Sequence, residues 1–245
     1  MTSLSQTLFN NLEQLELTRM SAFLPNFMTE IEQKQLTFTE AMVTLTNEEI
    51  RFRQQQAVAR LIERAHFPVL RRLGEFNFDF QPNLNRTQIM EFKNLAFLDN
   101  RENIVLIGNP GVGKTHLAIG IGIEACEQGK RVFFTTCHNL LAQLRTAYEK
   151  GYIERIMRRF ARYDLLIIDE IGYLPIEHDE ANLLFQLINA RYEQKSTIIT
   201  SNSEFSSWVD IFQNPTVTTA ILDRLVHHVS VVKITGKSYR LNGPR

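Results

Sequence analysis

The segment Gly108-Asn109-Pro110-Gly111-Val112-Gly113-Lys114-Thr115 constrains the fold more than any other part of the chain. It satisfies every fixed position of the pattern G-x-x-x-x-G-K-[ST]. Its glycines let the backbone wind closely enough for successive N–H groups to cradle phosphate oxygens. Lys114 can then reach the terminal phosphates, and the Thr115 hydroxyl can hold Mg²⁺. The motif carries weight only between a strand and a helix, and its flanks supply both. Asn103 to Ile107 is a short apolar run that reads as a buried strand. Thr115 to Gln128 reads as a helix that stops at Gly129. A phosphate held there meets free N–H groups and the positive end of the helix dipole.

A second apolar strand, Asp164 to Glu170, ends in two adjacent carboxylates. In P-loop proteins an acid at such a strand end holds the Mg²⁺ that bridges the phosphates, which makes Asp169 the candidate. Glu170 follows directly and is the candidate for orienting or activating an attacking water. Its plainer role is that of an acid stabilising a helix dipole. A third strand, Ser196 to Thr200, leads into Ser201-Asn202. In P-loop ATPases with an additional strand, this one lies between the loop strand and the acid-tipped strand. Asn202 is then the candidate polar sensor facing the γ-phosphate, with an ordinary turn asparagine as the alternative.

Composition narrows the class. A chain of 245 residues with 44% hydrophobic and 22% charged residues is long enough for a substantial core. No run approaches the roughly 20 apolar residues of a membrane span, and no secretory signal is evident, so a cytoplasmic protein is expected. Cys126 and Cys137 have no metal-ligand spacing and read as buried free thiols. His227-His228 suggests no metal site without further ligands nearby. The formal net charge is +0, so any nucleic-acid surface has to be a local patch.

Two such patches stand out. Residues 1–75 read as a helical domain with apolar residues at helical spacing, as in Leu4, Leu8, Leu12 and Leu15. Its acid-rich first part gives way to a basic helix carrying Arg51, Arg53, Arg60 and Arg64. Residues 76–86 read as a linker with aromatic anchors, one of which can pack on a nucleotide base. Residues 87–245 read as an α/β domain with five parallel strands, Arg131 to Thr136 being the second and His227 to Ile234 the last. Between Asn139 and Arg162 lies a helical stretch split at Gly151, with Lys150, Arg155, Arg158 and Arg159 as the second basic patch. Either patch can follow a phosphate backbone, and either can be plain solvated surface.

The runs Gly113-Lys114-Thr115-His116-Leu117-Ala118 and Leu165 to Pro175 resemble the IstB-like family, the ATPase helpers encoded beside the transposase in one class of bacterial insertion sequence. The resemblance extends to Arg64-Ala65-His66-Phe67-Pro68, Glu75-Phe76-Asn77-Phe78, Arg191-Tyr192-Glu193, Ala220 to His228 and Ser238-Tyr239-Arg240-Leu241. It implies an AAA+ P-loop ATPase core related to the DnaC-type helicase loaders, preceded by a small all-α N-terminal domain. It further implies ATP and Mg²⁺ as ligands and assembly as homo-oligomers on double-stranded DNA. Recruitment of a cognate transposase goes with it. In such assemblies the nucleotide lies between subunits, and an arginine from the neighbour stabilises transition-state charge. Arg224 matches that position, and Arg240 matches a second family arginine at the nucleotide. Only 21 residues follow Arg224, too few for the usual helical lid of the AAA+ class.

Three other functions compete with this reading. A replicative helicase loader shares the chemistry but grips a different partner. A P-loop kinase for a small metabolite has no use for the Asp169-Glu170 pair or the basic helices. A nucleotide-gated binding protein would show negligible turnover. No base-reading motif is present, so any DNA contacts should fall on the backbone and weaken steeply with salt.

Overall fold

The computed structural model describes residues 3–242, and its chain divides into two compact units, one ending at Arg60 and the next beginning at Leu61. The first unit is built from α1 (Leu4–Gln14), α2 (Thr18–Lys34) and the greater part of α3 (Phe38–Arg64). Its core is small: Leu12, Met20, Leu24, Phe27, Ala41 and Leu45. Of the four leucines whose spacing marks α1, only Leu12 is buried, and Leu4 stays 91% exposed. A unit of this size has little interior in which to bury a whole helix face.

The charges of this unit are organised around one buried acid. Glu49 lies 5% exposed on α3 and accepts hydrogen bonds from the N–H groups of Arg19 and Met20 at 2.9 and 3.0 Å. These belong to the first turn of α2, where Leu17 at the N-cap offers no side-chain acceptor. Arg53 closes the arrangement, its Nε 2.7 Å from Glu49 and its guanidinium donating to the Glu16 carbonyl. Burial pushes the Glu49 carboxyl up, but the bonds from Arg53, Met20 and Arg19 outweigh it and leave the pKa below the usual value. A carboxyl depressed in the folded state adds stability above its unfolded pKa, and that stability is lost as pH falls through the folded value. Glu49→Ala should therefore cost about 1–3 kcal/mol at neutral pH, the penalty for orphaned buried donors. Hydrogen exchange at the Arg19 and Met20 amides measures it. The effect should shrink as pH drops below the ordinary glutamate value of about 4.3, and unchanged exchange at neutral pH would refute the capping role.

The boundary at Arg60 falls inside α3, ahead of the domain limit expected near residue 75. The reason is packing. Ala65, Leu73, Phe76 and Leu84 are buried in the core of the second unit, so the segment read as a linker is part of that core. It is followed by α4 (Arg86–Glu91) and α5 (Ala96–Asp99). The sheet strands are β1 (Asn103–Gly108), β2 (Val132–Thr136), β3 (Leu165–Ile171), β4 (Ser196–Ser201) and β5 (Val229–Ile234). All pair in parallel in the order β2-β3-β4-β1-β5, so β4 does separate β1 from the acid-tipped β3.

Alternate strand residues point to opposite faces, and each face carries its own apolar layer. Ile104, Leu106, Leu165, Ile167 and Ile198 pack with α6 (Lys114–Glu127). Val105, Ile107, Leu166, Ile168 and Ile199 pack against α7 (Cys137–Glu149), α8 (Ile153–Ala161), α9 (His178–Arg191), α10 (Trp208–Phe212) and α11 (Pro215–Val226). Gly151, with φ +73°, separates α7 from α8. Cys126 and Cys137 are buried free thiols whose pKa burial pushes up to about 12, which keeps them unreactive. Arg191 lies 1% exposed at the end of α9 and donates to Thr197 Oγ1 and to the Phe160 and Tyr163 carbonyls, tying three elements together. After β5 the described residues form only the short helix α12 (Tyr239–Asn242), in place of a helical lid. Among the described residues no helix is long and apolar enough to cross a membrane.

Candidate nucleotide site

Parallel register brings three strand ends together. Leu106 and Ile107 of β1 stand beside Thr200 and Ser201 of β4, and Ile168 of β3 beside Ile199. The loop after β1, the end of β4 and the tip of β3 therefore share one edge, where open α/β sheets bind their ligands. A cavity of about 320 Å³ opens there. Gly111, Val112, Gly113, Lys114, Thr115 and His116 form its floor, with Glu170, Tyr173, Thr200 and Arg240 around the phosphate end. Phe76, Phe80, Gln81 and Ile119 line the more apolar part.

Lys114 Nζ donates to the carbonyls of Gly108 and Asn109 at 2.6 and 3.0 Å, which holds the ammonium at the loop mouth. Burial first, and then the charge of Arg240, lower its pKa, while Asp169 and Glu170 work in the opposite sense. Pro110 is exposed at the loop's outer turn. Gly113 has φ +105°, and a Cβ there would lie 2.5 Å from Phe76 Cε2. Only glycine satisfies both the left-handed backbone and the ring pressed against it. His116 supports the same ring edge-on at 5.3 Å and holds the Arg72 carbonyl at 2.9 Å. The half-buried imidazole is held below its ordinary pKa chiefly by desolvation.

Thr115 Oγ1 lies 3.0 and 3.1 Å from the two oxygens of Asp169, which is 3% exposed. Thr200 Oγ1 donates to the same carboxylate. Burial pushes the Asp169 carboxyl up, against the hydrogen bonds of Thr200 and Thr115 and the charges of Lys114 and Arg240. A hydroxyl and a carboxylate side by side at the phosphate end are the hard oxygen donors that suit Mg²⁺, which keeps waters and phosphate oxygens as its other ligands. Glu170 turns the other way. Its φ of +66° is left-handed, the β3–β4 register shifts around it, and its N–H donates to Thr200 Oγ1 at 3.0 Å. This conformation costs about 1–2 kcal/mol for a residue with a Cβ, and strain of this kind gathers at working sites. The result is one buried acid and one exposed acid from adjacent positions.

The remaining sequence candidates lie elsewhere. Asn202 is half-buried beyond the end of β4, where its Oδ1 accepts from Ser203 Oγ, and Thr200 is the β4 residue on the cavity wall. Thr200 was invisible as a site residue because a strand threonine has no sequence signature. Arg224 sits on α11 outside the cavity lining; its Nε donates to Asn189 Oδ1 at 2.7 Å, and its guanidinium lies 4.8 Å from the Phe185 ring centre. It contacts neither Asp223 nor Asp210 in these bonds. Of the first basic patch, Arg51 pairs with Glu48 and Arg53 with Glu49, while Arg60 and Arg64 are exposed farther along α3. Of the second, Arg155 and Arg159 line a shallow groove with Tyr152, His66 and Phe133. Lys150 and Arg158 are exposed nearby on α7's end and α8.

A five-stranded parallel sheet with a phosphate loop after β1 and β4 inserted before the acid-tipped β3 defines a P-loop ATPase fold of the AAA+ class. A DnaA from Aquifex aeolicus, solved bound to AMPPCP, has the same fold, with TM-score 0.57 and 21% identity over 69% of this chain and 51% of that one. The chain belongs to the IstB-like ATP binding protein family, whose sequence profile matches residues 10–245. It is 45% identical over 236 residues to a protein described as the ATP-binding protein of insertion sequence IS232 from Bacillus thuringiensis subsp. berliner, covering 96% of this chain and 94% of that one. A second relative, described likewise for insertion sequence IS21 of Pseudomonas aeruginosa, is 38% identical over 96% of this chain and 88% of its own length.

Proposed function

We propose that this protein binds ATP and hydrolyses it as an oligomer on double-stranded DNA, acting as the ATPase helper of a transposase. The observation that carries the reading is the Thr115–Asp169 pair at the loop mouth, with Lys114 on one side and Glu170 on the other. The loop amides and Lys114 bind the phosphates, and Thr115 with Asp169 would hold Mg²⁺, which supplies charge neutralisation when bound. Phe80, half-buried on the cavity wall, is the ring proposed to meet the base, with Phe76 packed beneath the loop. Glu170 orients the attacking water, and Asn202 is proposed as its polar sensor. Arg224 completes the site of an adjoining subunit, and Arg240 contacts the phosphates of its own. Transposition is preferred to helicase loading because relatives matching nearly the whole chain are described by their insertion sequences, whereas the likeness to DnaA is one of fold. The N-terminal helical unit is assigned to partner binding, in the cytoplasm.

For DNA, the groove beside α8 is favoured over α3, because Arg51 and Arg53 are already engaged by carboxylates. Arg155 and Arg159 stack on Tyr152 and Phe133 with ring distances of 5.0 and 5.3 Å and have no carboxylate partner among the described residues. Turnover should rise with protein concentration and with added duplex. Replacing Arg155 and Arg159 by glutamine should flatten the salt dependence of DNA binding by about two phosphate contacts' worth, a slope change near 1.8. ATP turnover indifferent to both protein concentration and duplex would overturn the reading, and an unchanged salt slope would remove the groove from it.

A further inference from the structure

One buried side chain joins the segment before the sheet to the segment after it. Gln81 is 3% exposed, and its Nε2 donates to the Lys237 carbonyl at 2.9 Å. Only the amide nitrogen can donate, so this bond fixes which way the side chain faces. Its Oε1 then points at Gly236, where a Cβ would come within 1.5 Å of it. That oxygen is buried with no hydrogen-bond partner among the described residues, an uncommon state for an interior acceptor. Gln81 itself is firmly mounted: its N–H donates to the Phe78 carbonyl, its carbonyl accepts from Leu84, and Leu84 is in the core.

Beyond this contact the chain crosses the phosphate loop. The Tyr239 N–H donates to the Gly111 carbonyl at 2.8 Å, and the Tyr239 ring meets Phe80 edge-on at 4.9 Å. Arg240 follows at once, on the cavity wall. We infer that Gln81 is a positioning residue that clasps the strap from Gly236 to Tyr239 across the phosphate loop and thereby holds Arg240 over the phosphates. Among the described residues only the short α12 follows β5, and this clasp presents a cation to the nucleotide from the same subunit. The mechanism requires glycine at 236, since any side chain there collides with the carboxamide. The inference rests on the ATP-splitting reading above only in its last step.

Two substitutions approach the clasp from opposite sides. Gln81→Leu removes the donor, and Gly236→Ala sets a methyl on Oε1. Amide hydrogen exchange of the full chain reads the strap without nucleotide. Both variants should exchange the Tyr239 amide at least about tenfold faster, while amides of β1 and β4 keep wild-type protection, as expected of local opening. In turnover, each should lose about as much as Arg240→Ala. Combining either with Arg240→Ala should cost less than about twofold more, because contacts that act through one group are not additive. Multiplicative losses, or an unchanged Tyr239 amide in both variants, would overturn the clasp. Faster exchange at β1 as well would mark Gln81 as a general packing residue and overturn it equally. A wild-type protein that does not split ATP at all would count against the ATPase reading and leave the exchange result to decide the clasp.

Discussion

Arg224→Ala should lower ATP turnover of the assembled protein by about 10³- to 10⁵-fold, the worth of an arginine supplied to a phosphoryl-transfer site. Nucleotide affinity should hardly change. The argument starts from what Arg224 does within its own subunit. Its hydrogen bonds go to Asn189 Oδ1 and the Ala220 carbonyl, and its flat face lies on Phe185. All three partners are neutral, so the guanidinium is oriented without being neutralised. It is also off the wall of its own cavity, so it has no phosphate to serve there. A positioned and uncompensated cation with no local use fits delivery to a neighbour. Mixing decides the matter. Arg224→Ala keeps its own cradle, and Lys114→Ala keeps its own Arg224. Each protein alone should be inactive, and a mixture should recover activity wherever the intact cradle faces the intact arginine. A mixture as inactive as its components would show that the two residues act in the same subunit.

How far this site could be read from sequence depends on whether a residue's role is written locally. The phosphate loop was legible because its glycines, lysine and threonine do their work through the backbone of one short segment, and apolar runs on both sides fix its setting. Asp169 and Glu170 were legible as a pair at a strand tip. The opposite orientation of the two was not, because it comes from a left-handed backbone at Glu170 and a shift in strand register. The position of β4 between β1 and β3 was expected from the class of fold and is what sets Thr200 against Asp169. Which arginines of α3 are already paired was not legible, for a physical reason. Arginine spacing reports a charged face, but the glutamates that engage Arg51 and Arg53 lie one turn earlier on the same helix, and Glu49 was needed to cap α2. The aromatic residues of 76–86 were read as able to meet a base, but the arrival of Gln81 and Tyr239 at the same site from distant parts of the chain is written in no local pattern.

Glu170→Gln should lower turnover by about 10²- to 10⁴-fold, the usual range for losing a general base, while nucleotide binding survives. Asp169→Asn should instead weaken binding itself, since Asp169 is the buried carboxylate paired with Thr115. The contrast follows from the different surroundings of the two acids. Among the described residues the Glu170 carboxylate has no hydrogen-bond or ion-pair partner; it lies exposed at the cavity rim, while its backbone N–H donates to Thr200. Removing its charge therefore breaks no hydrogen bond or ion pair of the described residues that line the phosphate loop. The simpler view of Glu170, as an acid favoured by a helix N-terminus, fails on distance along the chain. The next helix, α9, begins only at His178, and its first turn already carries Asp179 and Glu180. An acid that serves no helix, occupies a strained backbone and faces the loop lysine's cavity is placed for an incoming water. If the glutamine variant binds ATP but releases product at the wild-type rate, that placement is incidental and the water must be activated by another group. If it holds ATP unhydrolysed and stays on duplex longer than the wild type, hydrolysis is the step that lets the assembly come apart.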